Sequence, residues 1–245
     1  MKGTFFQKPL EFRLLVEGES WNQGDPIAGS LSVMNHGAEE ISHHEIAIFL
    51  ACGELGKVRL KSPDAFRVID VVPMESNRKN FNWKFPTDRN CPITDQFSSL
   101  FLLYGRGKDL PALGQIQLSV QPARLIQDFL NILQIHFRFV LKTQKTNKNC
   151  VESKFAPPSA KAFAAVEKLT LSCRFNEDEF ETRYVFNVKM IDASSGGMNM
   201  KKQKKEFQQS FTPAQYRLSS GRMNHDFMEN SIKEVLGRLG FGVGF

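Results

Sequence analysis

The chain has 245 residues, 41% of them hydrophobic, enough to bury a substantial core and long enough for two compact domains. A net charge of +6 over this length permits weak attraction to acidic surfaces but is no nucleic-acid signature. Four widely spaced cysteines without a C-x-x-C pair exclude a zinc ribbon or a thioredoxin-like motif, and no apolar stretch is long enough for a signal peptide or a membrane span, so a cytoplasmic protein with reduced thiols is expected.

Period-two runs dominate the first half. Leu10, Phe12, Leu14 and Val16 alternate with Glu11 and Arg13, which predicts a half-buried antiparallel strand. Ile27, Gly29, Leu31 and Val33 form a second run between the turn residues Asp25-Pro26 and Asn35-His36-Gly37. Ile41 and then Ile46, Ile48, Leu50 and Cys52 predict a third strand, apolar on both faces as a central strand would be. Phe81, Trp83 and Phe85 end at Pro86, Leu100 to Tyr104 gives another strand, and Ile116, Leu118 and Val120 close the series at Pro122. Six or seven short strands without intervening helices predict a β-sandwich over residues 1–122.

From Arg124 to Phe137 the period changes. Leu125, Ile126, Phe129, Leu130, Ile132, Leu133 and Phe137 recur at helical spacing, which predicts one amphipathic helix opening after Pro122. Its stripe of Leu125, Phe129, Ile132 and Leu133 is expected to act as a domain junction, so that residues 123–137 link the first sandwich to a second over 138–245; filling the core of one domain is the competing reading. Strand-like alternation returns through Phe137, Phe139 and Leu141, then Leu169 to Phe175, then Tyr184 to Met190, and again at Phe207 and Phe211. Ala193 to Gly197 reads as a loop, and Met228 to Leu239 as a short C-terminal helix. The fold class expected is all-β: two sandwiches, one junction helix and one terminal helix.

Trp21-x-x-Gly24-Asp25-x-Ile27-x-Gly29-x-Leu31-x-Val33-x-Asn35 resembles the opening strands of arrestin-type N-domains, and Asn80 to Pro86 followed by Pro92-Ile93-Thr94 resembles a later strand of that fold. Val120-Gln121-Pro122 running into the helix is similar to the bacterial sporulation-control protein M family, as are Phe155-Ala156-Pro157, Glu167-Lys168-Leu169 and Tyr184 to Met190 followed by Gly196-Gly197. The collinear order over nearly the whole chain carries the resemblance. It implies two arrestin-like sandwiches, no catalytic residues and a regulatory or scaffolding role, with partner proteins bound at sandwich edges and the inter-domain surface.

No catalytic, cofactor or metal residues are assigned. His43 and His44 are adjacent, so on a strand they face opposite ways and do not readily share an ion; solvated histidines are the preferred reading. Asp25 follows a glycine in a turn and reads as structural. Gly240-x-Gly242-x-Gly244 lacks the strand and helix of a phosphate loop. Lys142, Lys145 and Lys148 form one basic group and Lys201, Lys202, Lys204 and Lys205 another, each placed between strand-like segments. They are the candidate anion or partner contacts, toward nucleic acid or anionic membrane as the alternative function, though basic hairpins are ordinarily solvated surface that discourages edge pairing.

Overall fold

A computed structural model of the chain describes residues 1–38, 45–74, 80–192 and 199–239. The expected Ile41, His43 and His44, the 193–197 loop and the C-terminal glycines lie outside the described residues. The chain divides into two compact units, Met1–Pro122 and Ala123–Phe245.

Unit 1 contains β1 (Lys2–Gln7), β2 (Leu10–Val16), β3 (Trp21–Asn22), β4 (Ile27–Asn35), β5 (Ile46–Glu54), α1 (Leu55–Arg59), β6 (Phe66–Pro73), β7 (Asn80–Phe85), β8 (Ser98–Arg106), β9 (Gly114–Gln117) and β10 (Val120–Gln121). Two four-stranded antiparallel sheets, ordered β1-β2-β4-β7 and β6-β5-β8-β9, enclose one core. The first contributes Phe12, Leu14, Ile27, Leu31, Trp83 and Phe85, and the second Ile48, Leu50, Leu100, Leu102 and Tyr104, so each strand sends alternate apolar side chains inward. Sheet β6-β5-β8-β9 is apolar on its outer side as well, where Ala51, Phe101 and Leu103 pack with Phe66 and Leu113 beneath Leu55 and Val58. That second cluster explains why β8 is buried along almost its whole length. β3 and β10 pair in parallel through Trp21 and Val120. Just after β3, the carboxylate of Asp25 accepts from the Asn22 backbone N–H at 2.8 Å and from its side-chain amide at 3.0 Å, while Gly24 supplies a φ of +87°. Asp25 therefore builds a turn.

Unit 2 contains α2 (Arg124–Ile135), β11 (Val140–Asn147), β12 (Cys150–Ala156), β13 (Val166–Asn176), β14 (Glu179–Asp192), β15 (Asn199–Phe211), α3 (Pro213–Tyr216) and α4 (His225–Arg238). Its five strands form one antiparallel meander in chain order. Odd residues of β13 and even residues of β14 face the core, including Leu169, Leu171, Phe180 and Phe186, all without exposed surface. Helices form the layer opposite that apolar face. Phe129 of α2 meets Phe180 edge-on at 5.4 Å, Phe227 of α4 meets Phe211 at 5.7 Å, and the Gln209 side chain donates to the Ser231 carbonyl at 3.1 Å.

α2 ends two residues earlier than its hydrophobic pattern suggests. Arg138 adopts a φ of +56°, which breaks the helix, and the Phe139 N–H then donates to the Leu133 carbonyl at 3.0 Å. Phe137 and Phe139 remain buried from outside the helix, so the apolar pattern overruns the helical one. α4 is capped by Asn224, whose side chain accepts from the Phe227 N–H. Within it, Gly237 has open space where a Cβ would stand. Gly237→Ala is expected to raise stability by about 0.5–1 kcal/mol in a urea titration, because alanine loses less backbone freedom in a helix.

Candidate functional site

The lysine groups are not hairpin loops, with one exception. Lys142 and Lys145 belong to β11 and all of Lys201, Lys202, Lys204 and Lys205 to β15, the two edge strands of the five-stranded sheet. Only Lys148 sits in a turn, beside Asn149, and both adopt positive φ between the paired Asn147 and Cys150. A sequence of polar residues gave no apolar alternation from which to infer strand, which is why the pattern read as loop. The strands then disperse the lysines. Lys202 lies across from Lys189, both within 3.3 Å of Glu167, and Lys145 stands 3.7 Å from Glu152. Lys205 points to the opposite face, where its ammonium donates to the Leu239 carbonyl at 3.1 Å and satisfies the end of α4. No single basic patch results from the seven.

The proposed junction stripe is buried at Phe129, Ile132 and Leu133 and half-buried at Leu125. Ile126 and Leu130 belong to the same buried face.

A polar depression of about 630 Å³ lies on the helix-free face of the sheet of unit 2, lined by Lys148, Cys150, Glu152, Ser172, Arg174, Glu181 and Arg183 among others. Cross-strand register makes this cluster: Glu152 opposes Ser172, Ser172 opposes Arg183, and Arg174 opposes Glu181. Its arginines are paired. Arg174 Nε lies 2.6 Å from Glu181, holding that carboxyl below the usual range, and Arg183 lies 2.7 Å from Glu206. Burial pushes the Cys150 thiol up, so it is protonated at neutral pH, and its Sγ is directed at the Asn147 carbonyl. A protonated thiol beside the Arg174–Glu181 and Arg183–Glu206 pairs is not an activated nucleophile. In unit 1, hydrogen bonds from His36 and Arg13 hold the Glu11 carboxyl below its ordinary range, again a closed pairing. Among the described residues no group of three or more His, Cys, Asp or Glu side chains could hold a metal ion, and no helix is long and apolar enough to cross a membrane.

Another surface is conspicuous for the opposite reason. β6 is an edge strand, paired among the described residues only with β5, and it exposes Val68, Ile69 and Val71 to between 40% and 45%. Exposed β-branched residues on an unpaired edge are what soluble proteins ordinarily avoid. The pairing shifts between Leu50 and Ala51, so Ile69 is an extra residue that bends the strand. Val68 and Val71 consequently share the outer face despite being three apart, continuing the apolar outer side of the sheet. No strand was read from the sequence here, because the bulge breaks the period-two alternation and Arg67 and Asp70 interrupt the run. The signal present was its composition: four β-branched residues between Pro63 and Pro73.

No protein-family model matches the chain, and no curated protein matches it in sequence. Among solved structures, the chain is similar to the sporulation control protein Spo0M from Bacillus subtilis, with a TM-score of 0.60 over 95% of this chain and 99% of that one, at 14% identity. The fold is arrestin-like and shared along essentially the whole length of both proteins.

Proposed function

We propose that the chain is a non-enzymatic, cytoplasmic regulatory or scaffolding protein of the sporulation-control type, which binds partner proteins by strand addition at β6. The observation that carries this reading is the edge strand with Val68, Ile69 and Val71 exposed. A partner strand laid along it gains main-chain hydrogen bonds, and the alternate side chains give specificity. The likeness in fold to a protein described as a sporulation control protein supports a regulatory role. The closed charge pairs in the polar depression support a binding rather than a catalytic molecule.

Affinity capture from an extract of the native cell, comparing the natural chain with Val68→Lys/Val71→Lys, tests this. Lysine on an edge strand opposes pairing without burying charge. The variant is expected to keep the buried-tryptophan emission of unit 1 and to lose its partner by about tenfold or more, the equivalent of one lost apolar anchor. Equal recovery of the same partner by both proteins would refute the β6 assignment. Binding that instead falls steeply with salt and follows the lysines of β11 and β15 would mark the nucleic-acid or anionic-membrane alternative.

A further inference from the structure

We propose that one end of the helix-free face of the unit 2 sheet docks on an anionic membrane surface through Lys154, Lys168, Lys189, Lys202 and Lys204. This goes beyond strand addition at β6 and uses the other unit. The register sets all five side chains on one face. Lys168 opposes Asn187 and Asn187 opposes Lys204, while their chain neighbours Leu169, Phe186 and Lys205 turn toward the helices. Lys189 opposes Lys202 in the next row of that face, and Lys154 opposes Thr170 in the row on the other side. With strands about 4.8 Å apart and same-face rows about 7 Å apart, the five lysines occupy a patch roughly 20 Å across.

Charge is uneven along this face. At the end that carries the polar depression, bases and acids balance, Lys145 with Glu152 and Arg174 with Glu181. At the other end Glu167 alone engages both Lys189 and Lys202, at 3.2 and 3.3 Å, and Glu206, two positions from Lys204, is taken by Arg183 at 2.7 Å. Lys154, Lys168 and Lys204 form no ion pair among the described residues. Five lysines and Arg183 stand against these two glutamates, in a unit that holds 19 basic and 12 acidic residues. The chain between Lys189 and Lys201 contributes Asp192 as its single charged residue.

A bilayer is the occupant whose chemistry this patch fits. Thr170, Val185 and Asn187, which stand between the lysines, bring no aromatic ring on which the bases of a single strand could stack, and a five-stranded sheet is too broad to enter a duplex groove. Lysine supplies point charges, without the planar fork that grips one phosphate. An anionic leaflet needs neither device, since its negative potential attracts each ammonium brought within a Debye length of its plane. The contact is peripheral and weak, each lysine contributing about fivefold to partitioning.

The test is sedimentation with vesicles of phosphatidylcholine containing phosphatidylserine, against phosphatidylcholine alone, at about 10 mM lipid and low salt. The natural chain is expected to sediment with the anionic vesicles only and to be released as salt rises to about 0.5 M. Phosphate and chloride at equal ionic strength should release it alike, which separates a charged surface from a site for free phosphate. Lys168→Ala/Lys204→Ala should weaken partitioning about 25-fold, and Lys168→Arg/Lys204→Arg should retain it. Lys148→Ala/Lys201→Ala removes the same charge from a turn and from the helix side of β15, and should sediment like the natural chain. Absence of sedimentation by the natural chain, equal loss in the two alanine variants, or retention on duplex DNA under conditions where anionic vesicles bind nothing would each overturn the proposal. Lys168→Ala/Lys204→Ala leaves β6 untouched and should capture its protein partner as before, so the two assignments fail separately.

Discussion

Phe129→Asp is expected to unfold unit 2 while unit 1 keeps its native signature. Phe129 has no exposed surface and lies edge-on against Phe180, itself fully buried and in contact with Phe175, Phe211 and Tyr216. Removing such a ring costs about 3–5 kcal/mol, and leaving a carboxylate in its place adds a desolvation penalty, which together rival the roughly 5–15 kcal/mol that holds a domain folded. Both tryptophans, Trp21 and Trp83, belong to unit 1, so their emission reports that unit alone. The expected result is native tryptophan emission with loss of helical and strand circular dichroism and rapid proteolysis after Pro122. A red shift of the tryptophans in the same variant would instead show that Leu125, Phe129, Ile132 and Leu133 act as a junction on which both units depend. An intact fold would place the stripe outside any essential core.

The second large effect is expected at Gly29. This residue lies in β4 opposite Trp83 on one side and Val16 on the other. A Cβ built there would stand 2.0 Å from the Leu15 carbonyl oxygen and 2.7 Å from the Trp83 ring. The first atom is backbone and cannot swing aside, so even alanine forces two strands apart. Gly29→Val is expected to cost about 3 kcal/mol or more, at the upper end of overpacking penalties, read as a lowered urea midpoint of the tryptophan transition. An unchanged midpoint would show that β2 and β4 can separate without loss. Gly29 is required by close approach, since the positive φ that demands glycine elsewhere is absent here.

The sequence was most legible where burial is one-sided and the backbone regular. Leu10 to Val16 and Phe81 to Phe85 alternate cleanly because each has the core on one face only, and they emerge as β2 and β7. β5 was readable as a central strand from its two-sided apolarity. β1 was not, since its burial alternates only between exposed and intermediate and Lys2, Thr4 and Gln7 dilute its pattern. β15 was seen only at Phe207 and Phe211, because between Asn199 and Glu206 its ladder is held by main-chain bonds to β14 with little apolar content to betray it. In unit 2 four of the five strands were legible, β12 (Cys150–Ala156) being missed, and they announced a buried face but not what covers it. Phe180 needs an apolar neighbour, and nothing in its own period says whether that neighbour comes from a strand or, as here, from a helix. The candidate surface was the least legible part. The bulge at Ile69 shifts the register of β6 and breaks the period-two alternation that makes a strand recognisable.

The strand character of the lysine run has a consequence for how the chain is sensed at long range. Four positive residues within five positions look, in one dimension, like a concentrated source of field. Pleating sends successive side chains to opposite sides of the sheet, so an approaching polyanion meets Lys202 and Lys204 from one side but not Lys205, whose charge is spent on the last carbonyl of a helix. The acidic Glu167 further shortens the reach of Lys202. The excess of +6 is carried by unit 2, which holds 19 basic and 12 acidic residues against 13 and 14 in unit 1, and there the pleat divides the lysine run between the two faces of one sheet instead of concentrating it on one.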